Sequence, residues 1–257
     1  MDNKNSRRSF IRNTSLAGAF GLALPSIVSA AFEGENATRL KKKIRIEKDD
    51  VILFQGDSIT DSGRKKDDMN YNTAGAFGNG YALIAASELL YRAGDKNLKI
   101  YNKGISGNKV YQLAERWDKD AIDLKPTVLS ILIGVNDFWH KLNGRYDGTV
   151  KVYRDDYKKL LDRTKQALPD VKLIIGEPFA VTGIKAVDDK WYPEFNEYRA
   201  AAREVADQYD AVFIPYQSVY DKAQQKAPGV YWTHDGVHPS LAGARLMAEA
   251  WLETVKV

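Results

Sequence analysis

The chain contains four short motifs whose residue types could together carry out acyl transfer. In sequence order they are Gly56-Asp57-Ser58, Gly104, Gly134-Val135-Asn136-Asp137 and Asp235-Gly236-Val237-His238. Asp235 can orient the imidazole of His238, which can then take the proton of the Ser58 hydroxyl and make it a nucleophile. The Gly104 N–H and the Asn136 side-chain amide can donate to the oxyanion that forms on attack. The motifs therefore supply a nucleophile, an oriented base and oxyanion donors.

Each motif alone also has a purely structural explanation. Gly56-Asp57-Ser58 and Gly104 could form ordinary turns, and Asn136-Asp137 could cap a helix N-terminus. The segment ending at His238 could be a surface turn before a proline. All four motifs occur in one order and three of them follow strand-like segments, so we favour the catalytic interpretation.

Those strand-like segments also predict the architecture. Apolar runs at 51–54, 98–101 and 128–133 lead into the first three motifs, and two further strands fit 171–176 and 211–215. Helical periodicity is clearest at 81–91, 153–168, 195–209 and 241–255. Alternating strands and helices predict one α/β domain with a five-stranded parallel sheet. The carboxyl ends of parallel strands share one crevice, so the motifs should meet there.

On these motifs the chain resembles the SGNH/GDSL hydrolase family. The matching blocks are Gly56-Asp57-Ser58-Ile59, Gly104, Gly134-Val135-Asn136-Asp137 and Asp235-Gly236-Val237-His238. The resemblance runs from about residue 44 to 257 and departs only at Ile59, where the family name has leucine. It implies a flavodoxin-like three-layer α/β/α sandwich. It also implies a Ser58–His238–Asp235 triad, with an oxyanion hole made by the Ser58 and Gly104 N–H groups and Asn136 Nδ2.

The motifs indicate the type of substrate less specifically than they indicate the reaction. The stretch 56–64 resembles the subset of the family that removes acetyl groups from polysaccharides, although lysophospholipase-like members share parts of it. Three residues are predicted to contact the substrate: Asp57, Trp139 and Trp232. The two tryptophans are included because aromatic faces at a cleft suit sugar rings. We expect a serine acetylesterase acting on plant-type polysaccharides or oligosaccharides. A lysophospholipase- or thioesterase-type lipid esterase and a non-catalytic glycan-binding module remain alternatives.

A metal-dependent phosphoesterase is a further alternative, using Asp57, Asp137, Asp235 and His238 as ligands. The sequence lacks a clustered ligand set of familiar spacing, so we predict no metal and no cofactor. His140 and His234, the other histidines, are predicted to be bystanders or to face the substrate.

The first thirty residues resemble an export signal. A twin-arginine pattern at Arg7-Arg8 precedes a weakly apolar stretch and small residues at 29–31. We predict a signal peptide at 1–30 cleaved near Ala30, a flexible lead at 31–43, and a periplasmic or secreted protein without a stable membrane anchor.

Cleavage would also change the charge balance. Of 38 basic and 34 acidic residues, the signal peptide holds four and one, leaving 34 and 33. This near-neutral balance gives no electrostatic reason to expect nucleic-acid binding. The chain has no cysteine, which excludes disulfides and a lipidated cysteine anchor. The expected partner is therefore an ester substrate, and the oligomeric state is left open.

Overall fold

The fold is built on a five-stranded parallel sheet, described in a computed structural model that covers residues 26–33 and 42–257. The sheet has the strand order β3-β2-β4-β5-β6, and a separate two-stranded sheet pairs β1 with β7. The described strands are β1 (Ile44–Arg45), β2 (Val51–Gly56), β3 (Lys99–Asn102), β4 (Val128–Leu132), β5 (Lys172–Gly176), β6 (Val212–Ile214) and β7 (Val255–Lys256).

The register brings the carboxyl ends of the central strands together. Gly56 at the end of β2 pairs with Leu132 at the end of β4, which in turn pairs with Gly176 of β5. On the other side of β2, Phe54 pairs with Asn102, the last residue of β3. The segments that follow these strands therefore start from one edge of the sheet, as the sequence predicted.

Helices cover both faces of the sheet. The described α-helices are α1 (Ile27–Glu33), α2 (Ser58–Asp61), α3 (Ala74–Phe77), α4 (Tyr81–Arg92), α5 (Val110–Glu115), α6 (Trp117–Asp120), α7 (Val135–Leu142), α8 (Val150–Ala167), α9 (Phe195–Gln208), α10 (Tyr216–Gln224), α11 (Gly229–Trp232) and α12 (Leu241–Leu252). Helices α4, α10 and α12 pack in one layer, and α5, α8 and α9 pack in the other.

Two neighbouring residues of β2 show the three layers directly. Successive side chains of a strand point to opposite faces of the sheet. The Phe54 ring lies 4.9 Å from the ring of Trp251 in α12, whose indole N–H donates to Ser130 Oγ at 3.0 Å. Gln55 Nε2 instead donates to the carbonyl of Asp120, at the end of α6 on the other face. The predicted α/β/α sandwich with five parallel strands is confirmed.

The amino-terminal region differs in part from the sequence expectation. Residues 1–25 and 34–41, which include the twin-arginine pattern and most of the predicted lead, lie outside the described residues. Helix α1 packs on α10 and α12, with Val28 and Ala31 completely buried. The predicted cleavage point near Ala30 thus falls inside a helix that packs on the domain. No helix among residues 26–33 and 42–257 is long and apolar enough to span a membrane.

Candidate active site

Ser58 lies at the turn between β2 and α2. Asp57 caps this short helix, and its Oδ1 accepts a hydrogen bond from the Ile59 N–H at 3.0 Å. The cap places Ser58 at the first helical position, where a backbone N–H has no partner inside the helix. Accordingly, the Ser58 N–H makes no hydrogen bond to another residue in the described part of the chain. Ser58 therefore presents both its hydroxyl and its amide to the site.

A continuous hydrogen-bond chain links Ser58 to Asp235. Ser58 Oγ lies 2.8 Å from His238 Nε2, and His238 Nδ1 lies 2.7 Å from Asp235 Oδ2. The other oxygen of Asp235 accepts the N–H groups of Val237 at 2.9 Å and His238 at 2.8 Å. These backbone bonds fix the carboxylate, which in turn places the Nδ1–H on the imidazole and leaves Nε2 to face the serine. The structure thus brings together three residues that the sequence analysis paired.

The charges of this pair reinforce the arrangement. The hydrogen bond that His238 donates to Asp235 raises the pKa of His238 above its usual value, against the opposing effect of burial. Burial would raise the pKa of Asp235, but the hydrogen bonds from His238 and the two N–H groups outweigh it and lower that pKa. Asp235 is therefore a carboxylate near neutral pH, and its charge can stabilise a protonated imidazole at His238.

Asn136 is the second residue of α7, the helix that follows β4, and is almost completely buried. Its Nδ2 donates to the carbonyl of Asn108 at 3.2 Å, which uses one of the two amide hydrogens. The second hydrogen is left for another acceptor. This geometry is compatible with the oxyanion-donor role predicted from the sequence.

The structure gives Gly104 a different role from the predicted one. Its N–H donates to Asn102 Oδ1 at 2.9 Å, so this amide is already engaged. A Cβ at position 104 would lie 2.5 Å from the Asp61 nitrogen and 2.9 Å from the Thr60 carbonyl carbon. Glycine is thus required here because the loop after β3 passes directly against the nucleophile turn.

The same loop contains another backbone amide, that of Gly107, which is available to a ligand. The half-buried Gly107 N–H makes no hydrogen bond to any residue within 26–33 or 42–257. Gly107 was not among the predicted site residues, although Ser106-Gly107-Asn108 has the composition of a turn. Because Gly104 in the same loop was already a candidate donor, the turn composition at 106–108 could have indicated Gly107 as another.

Two carboxyl groups beside the site are completely inaccessible. Asp57, predicted to contact substrate, is fully buried as the helix cap, and Asp137 Oδ1 accepts the Val110 N–H at 3.2 Å. Burial raises the pKa of both groups to about 7. One oxygen of each has no hydrogen-bond partner among the described residues. The position of Asp57 favours a structural role over direct contact with substrate.

The two predicted tryptophans differ in their contacts with the triad. The half-buried Trp139 has its ring 6.3 Å from the His238 ring. The half-buried Trp232 donates its indole N–H to the Ala227 carbonyl at 3.0 Å. Neither tryptophan is among the described residues that line the pocket beside Ser58, whereas the exposed His234 lines that pocket.

That pocket has a volume of about 550 Å³ and opens beside Ser58 and His238. Its walls combine hydroxyl, amide and imidazole groups with small apolar patches. The lining residues are Ser58, Ile59, Ser62, Asn79, Gly80, Tyr81, Ser106, His234, His238, Pro239, Ser240, Leu241 and Ala244.

The third histidine lies in another environment. His140 Nδ1 is 3.1 Å from Lys109 Nζ, and burial followed by the nearby Lys109 charge lowers the pKa of His140. Within residues 26–33 and 42–257, no three His, Cys, Asp or Glu side chains are grouped to hold a metal ion. The phosphoesterase alternative therefore gains no support from the geometry.

Comparisons with known proteins identify the family of the chain. The model of the GDSL-like lipase/acylhydrolase family matches residues 54–246, which include all four motifs. The acetylxylan esterase of Geobacillus stearothermophilus is 31% identical over 214 residues, covering 82% of this chain and 96% of that protein.

Solved structures share the fold. A protein from Parabacteroides merdae assigned as a GDSL-like lipase has 50% identity and a TM-score of 0.81, over 82% of this chain and 98% of that one. The acetylxylan esterase structure from G. stearothermophilus has 27% identity and a TM-score of 0.73, over 82% and 96% of the two chains. The chain therefore belongs to the GDSL-like lipase/acylhydrolase family and is a carboxylic-ester hydrolase.

Proposed function

We propose that the protein is a serine esterase that removes short acyl groups, acetyl above all, from plant-type polysaccharides or oligosaccharides. The observation that carries the proposal is the hydrogen-bond chain from Ser58 Oγ through His238 to Asp235. This arrangement matches the nucleophile, base and orienting carboxylate that acyl transfer requires.

The reaction has two steps. Ser58 Oγ attacks the ester carbonyl while His238 Nε2 takes its proton, and the same proton passes to the leaving sugar oxygen. A water molecule then gives a proton to His238 and attacks the acyl carbon. The bond between that carbon and Ser58 Oγ breaks, His238 returns the proton to Oγ, and acetic acid is released.

The oxyanion of each step would be stabilised by the Ser58 N–H, Asn136 Nδ2 and a third amide. We assign that third donor to the Gly107 N–H in place of Gly104, because the Gly104 N–H is bound to Asn102. Donors that are fixed before the reaction stabilise the developing charge without further reorganisation.

Two observations support a sugar ester over a lipid ester. The relative from G. stearothermophilus is an acetylxylan esterase. The pocket beside Ser58 places Ser62, Asn79 and Ser106 near apolar groups such as Leu241. Hydroxyl and amide groups can bind sugar hydroxyls, while small apolar surfaces pack on the faces of a pyranose ring. A polysaccharide substrate also fits the periplasmic or secreted location inferred from the twin-arginine pattern.

The proposal is tested by comparing hydrolysis of 4-nitrophenyl acetate and 4-nitrophenyl octanoate. We expect the acetate to be strongly preferred and Ser58→Ala to lose about 10⁴–10⁶ in kcat. Ser87→Ala is the matched control, because Ser87 is exposed on α4. Release of acetate from acetylated xylan then tests the natural substrate class. Full activity in Ser58→Ala would refute the mechanism, and preference for octanoate would indicate a lipid esterase.

A further inference from the structure

The loop at residues 102–108, called here the oxyanion loop, is bound closely to the nucleophile turn at residues 56–61. Asn102 Nδ2 donates to the Thr60 carbonyl at 2.6 Å, and the Ile105 N–H donates to the Gly56 carbonyl at 3.0 Å. With the close approach at Gly104, these contacts join the two segments along most of their length. The position of one therefore depends on the other.

The Asp61 side chain makes the most specific of these contacts. It is completely buried, and its Oδ2 accepts both the Ser106 N–H at 2.9 Å and the Ser106 hydroxyl at 2.7 Å. Its Oδ1 accepts Lys66 Nζ at 2.7 Å. Burial would raise the pKa of Asp61, but the hydrogen bonds from Lys66 and Ser106 outweigh it and lower that pKa. A buried carboxylate thus holds the residue immediately before Gly107.

Two arginines restrain the loop on either side of this point. The buried Arg64 donates from Nε to the Gly104 carbonyl at 2.8 Å. Arg116 donates from Nη1 to the Lys103 carbonyl at 2.8 Å and from Nε to Asn108 Oδ1 at 2.9 Å. Restraints therefore act before and after residues 106–107.

We propose that Asp61 is a positioning residue that fixes the Gly107 N–H relative to Ser58, an inference that rests on the proposed function. Asp61 ends the single helical turn that Ser58 begins, so one rigid element carries the nucleophile and the anchor of the oxyanion loop. Arg64 and Arg116 assist by holding the loop at its flanks. Asp61 itself does not touch the reacting atoms.

The conformation of Gly107 explains why such an anchor is needed. Its φ of +82° is in the left-handed region, which glycine enters and leaves at little steric cost. Oxyanion donors act only when they are held in place, and a displacement of about 1 Å can cost about 10²-fold in rate. A flexible glycine amide therefore depends on its neighbours for its position.

The test replaces Asp61 with asparagine, which preserves size but removes the charge. We expect Asp61→Asn to lower kcat for 4-nitrophenyl acetate about 10- to 100-fold, with KM changed less than about threefold. Hydrogen exchange of the peptide covering 102–110 should become faster, because a neutral amide oxygen accepts the two Ser106 hydrogen bonds more weakly than a carboxylate does, and the NH₂ group would face Lys66 Nζ, which is also a donor. Ser106→Ala removes only the hydroxyl contact on an exposed residue, so it should fold and give a smaller change of the same kind.

Asp50→Asn is the matched control. Asp50 is also buried and accepts a backbone N–H, from Glu47, and a hydroxyl, from Thr127, each at 2.7 Å. It precedes β2 at the opposite edge of the sheet. We expect Asp50→Asn to lower thermal stability while kcat and exchange of the 102–110 peptide stay at wild-type values.

The outcomes separate the two proposals. Lower kcat and faster loop exchange in Asp61→Asn but not in Asp50→Asn would support the anchor. Unchanged loop exchange, or equal kcat in Asp61→Asn and Asp50→Asn, would overturn it while leaving the esterase intact. Absence of Ser58-dependent hydrolysis in the wild type would refute the proposed function and, with it, the catalytic role given to Asp61.

Discussion

Replacing Asp235 with asparagine tests the hydrogen-bond chain at its most specific point. The two backbone N–H groups that point to Oδ1 require an acceptor, so an asparagine would keep its oxygen there. Its NH₂ group would then face His238 Nδ1, where the wild-type carboxylate accepts. Two donors cannot share a hydrogen bond, so the imidazole would adopt the other tautomer. The Nε2–H would then point at Ser58, and His238 could not take the serine proton.

The structure sets the expected size of the effect. Restoring the productive tautomer would cost the hydrogen bond to the carboxylate, about 1.5–3 kcal/mol for a charged acceptor. The imidazolium formed during reaction would lose the adjacent negative charge, which we take as a second contribution of similar size. Together these amount to about 3–6 kcal/mol, or about 10²–10⁴-fold in kcat. The upper end equals the loss of about 10⁴-fold known for this substitution in a serine protease triad.

The assay is hydrolysis of 4-nitrophenyl acetate across a range of pH. The proposed mechanism needs neutral His238, so kcat/KM of the wild type should fall as pH drops through the raised pKa of His238. Asp235→Asn removes the group that raises this pKa, so the residual activity should fall at a lower pH. Asp188→Asn is the control, because Asp188 also accepts the N–H two residues ahead but binds no imidazole. Activity within about tenfold of wild type in Asp235→Asn would refute the reasoning.

Two further predictions concern groups beside the triad. Asn136→Ala should lower kcat about 10²–10³-fold with little change in KM, measured on the same ester, and a loss below about tenfold would exclude Asn136 as an oxyanion donor. Burial raises the pKa of Asp137 to about 7, above its unfolded value, so its stabilising effect is present at low pH and is lost as pH rises towards 7. In the wild type, the urea concentration at the midpoint of unfolding should therefore fall between about pH 4 and about pH 7. Asp137→Asn should make this fall smaller, and a fall as large as that of the wild type would contradict the reasoning.

The fold was largely predictable because its strands are short, buried and apolar. The run at 128–133 is a continuous apolar stretch broken only by Ser130, and it forms the central strand β4. The terminal strands β1 and β7 were not predicted, since two-residue strands leave no periodic pattern. Helix α1 was also missed, because its burial depends on α10 and α12, which are remote in sequence.

For the site, the sequence predicted which types of residue take part but not all of the hydrogen bonds between them. Asp235 and His238 could be paired because only two residues, one of them a glycine, lie between this carboxylate and this imidazole in the sequence. The engagement of Gly104 by Asn102 could not be predicted, because it depends on how the loop after β3 packs against the nucleophile turn. The burial of Asp57 likewise depends on tertiary packing, although a capping role follows from its position before a short helix.

The docking of α1 has a consequence for the cleavage predicted near Ala30. A peptidase that cuts after Ala30 must reach a bond in the middle of a helix whose Val28 and Ala31 are fully covered by the folded domain. Cleavage at this bond requires the helix to separate from α10 and α12 first, so its rate follows the fraction of molecules in the opened state. Removal of the leader would therefore compete with folding itself, and a chain that folds before it is processed would protect its own cleavage point.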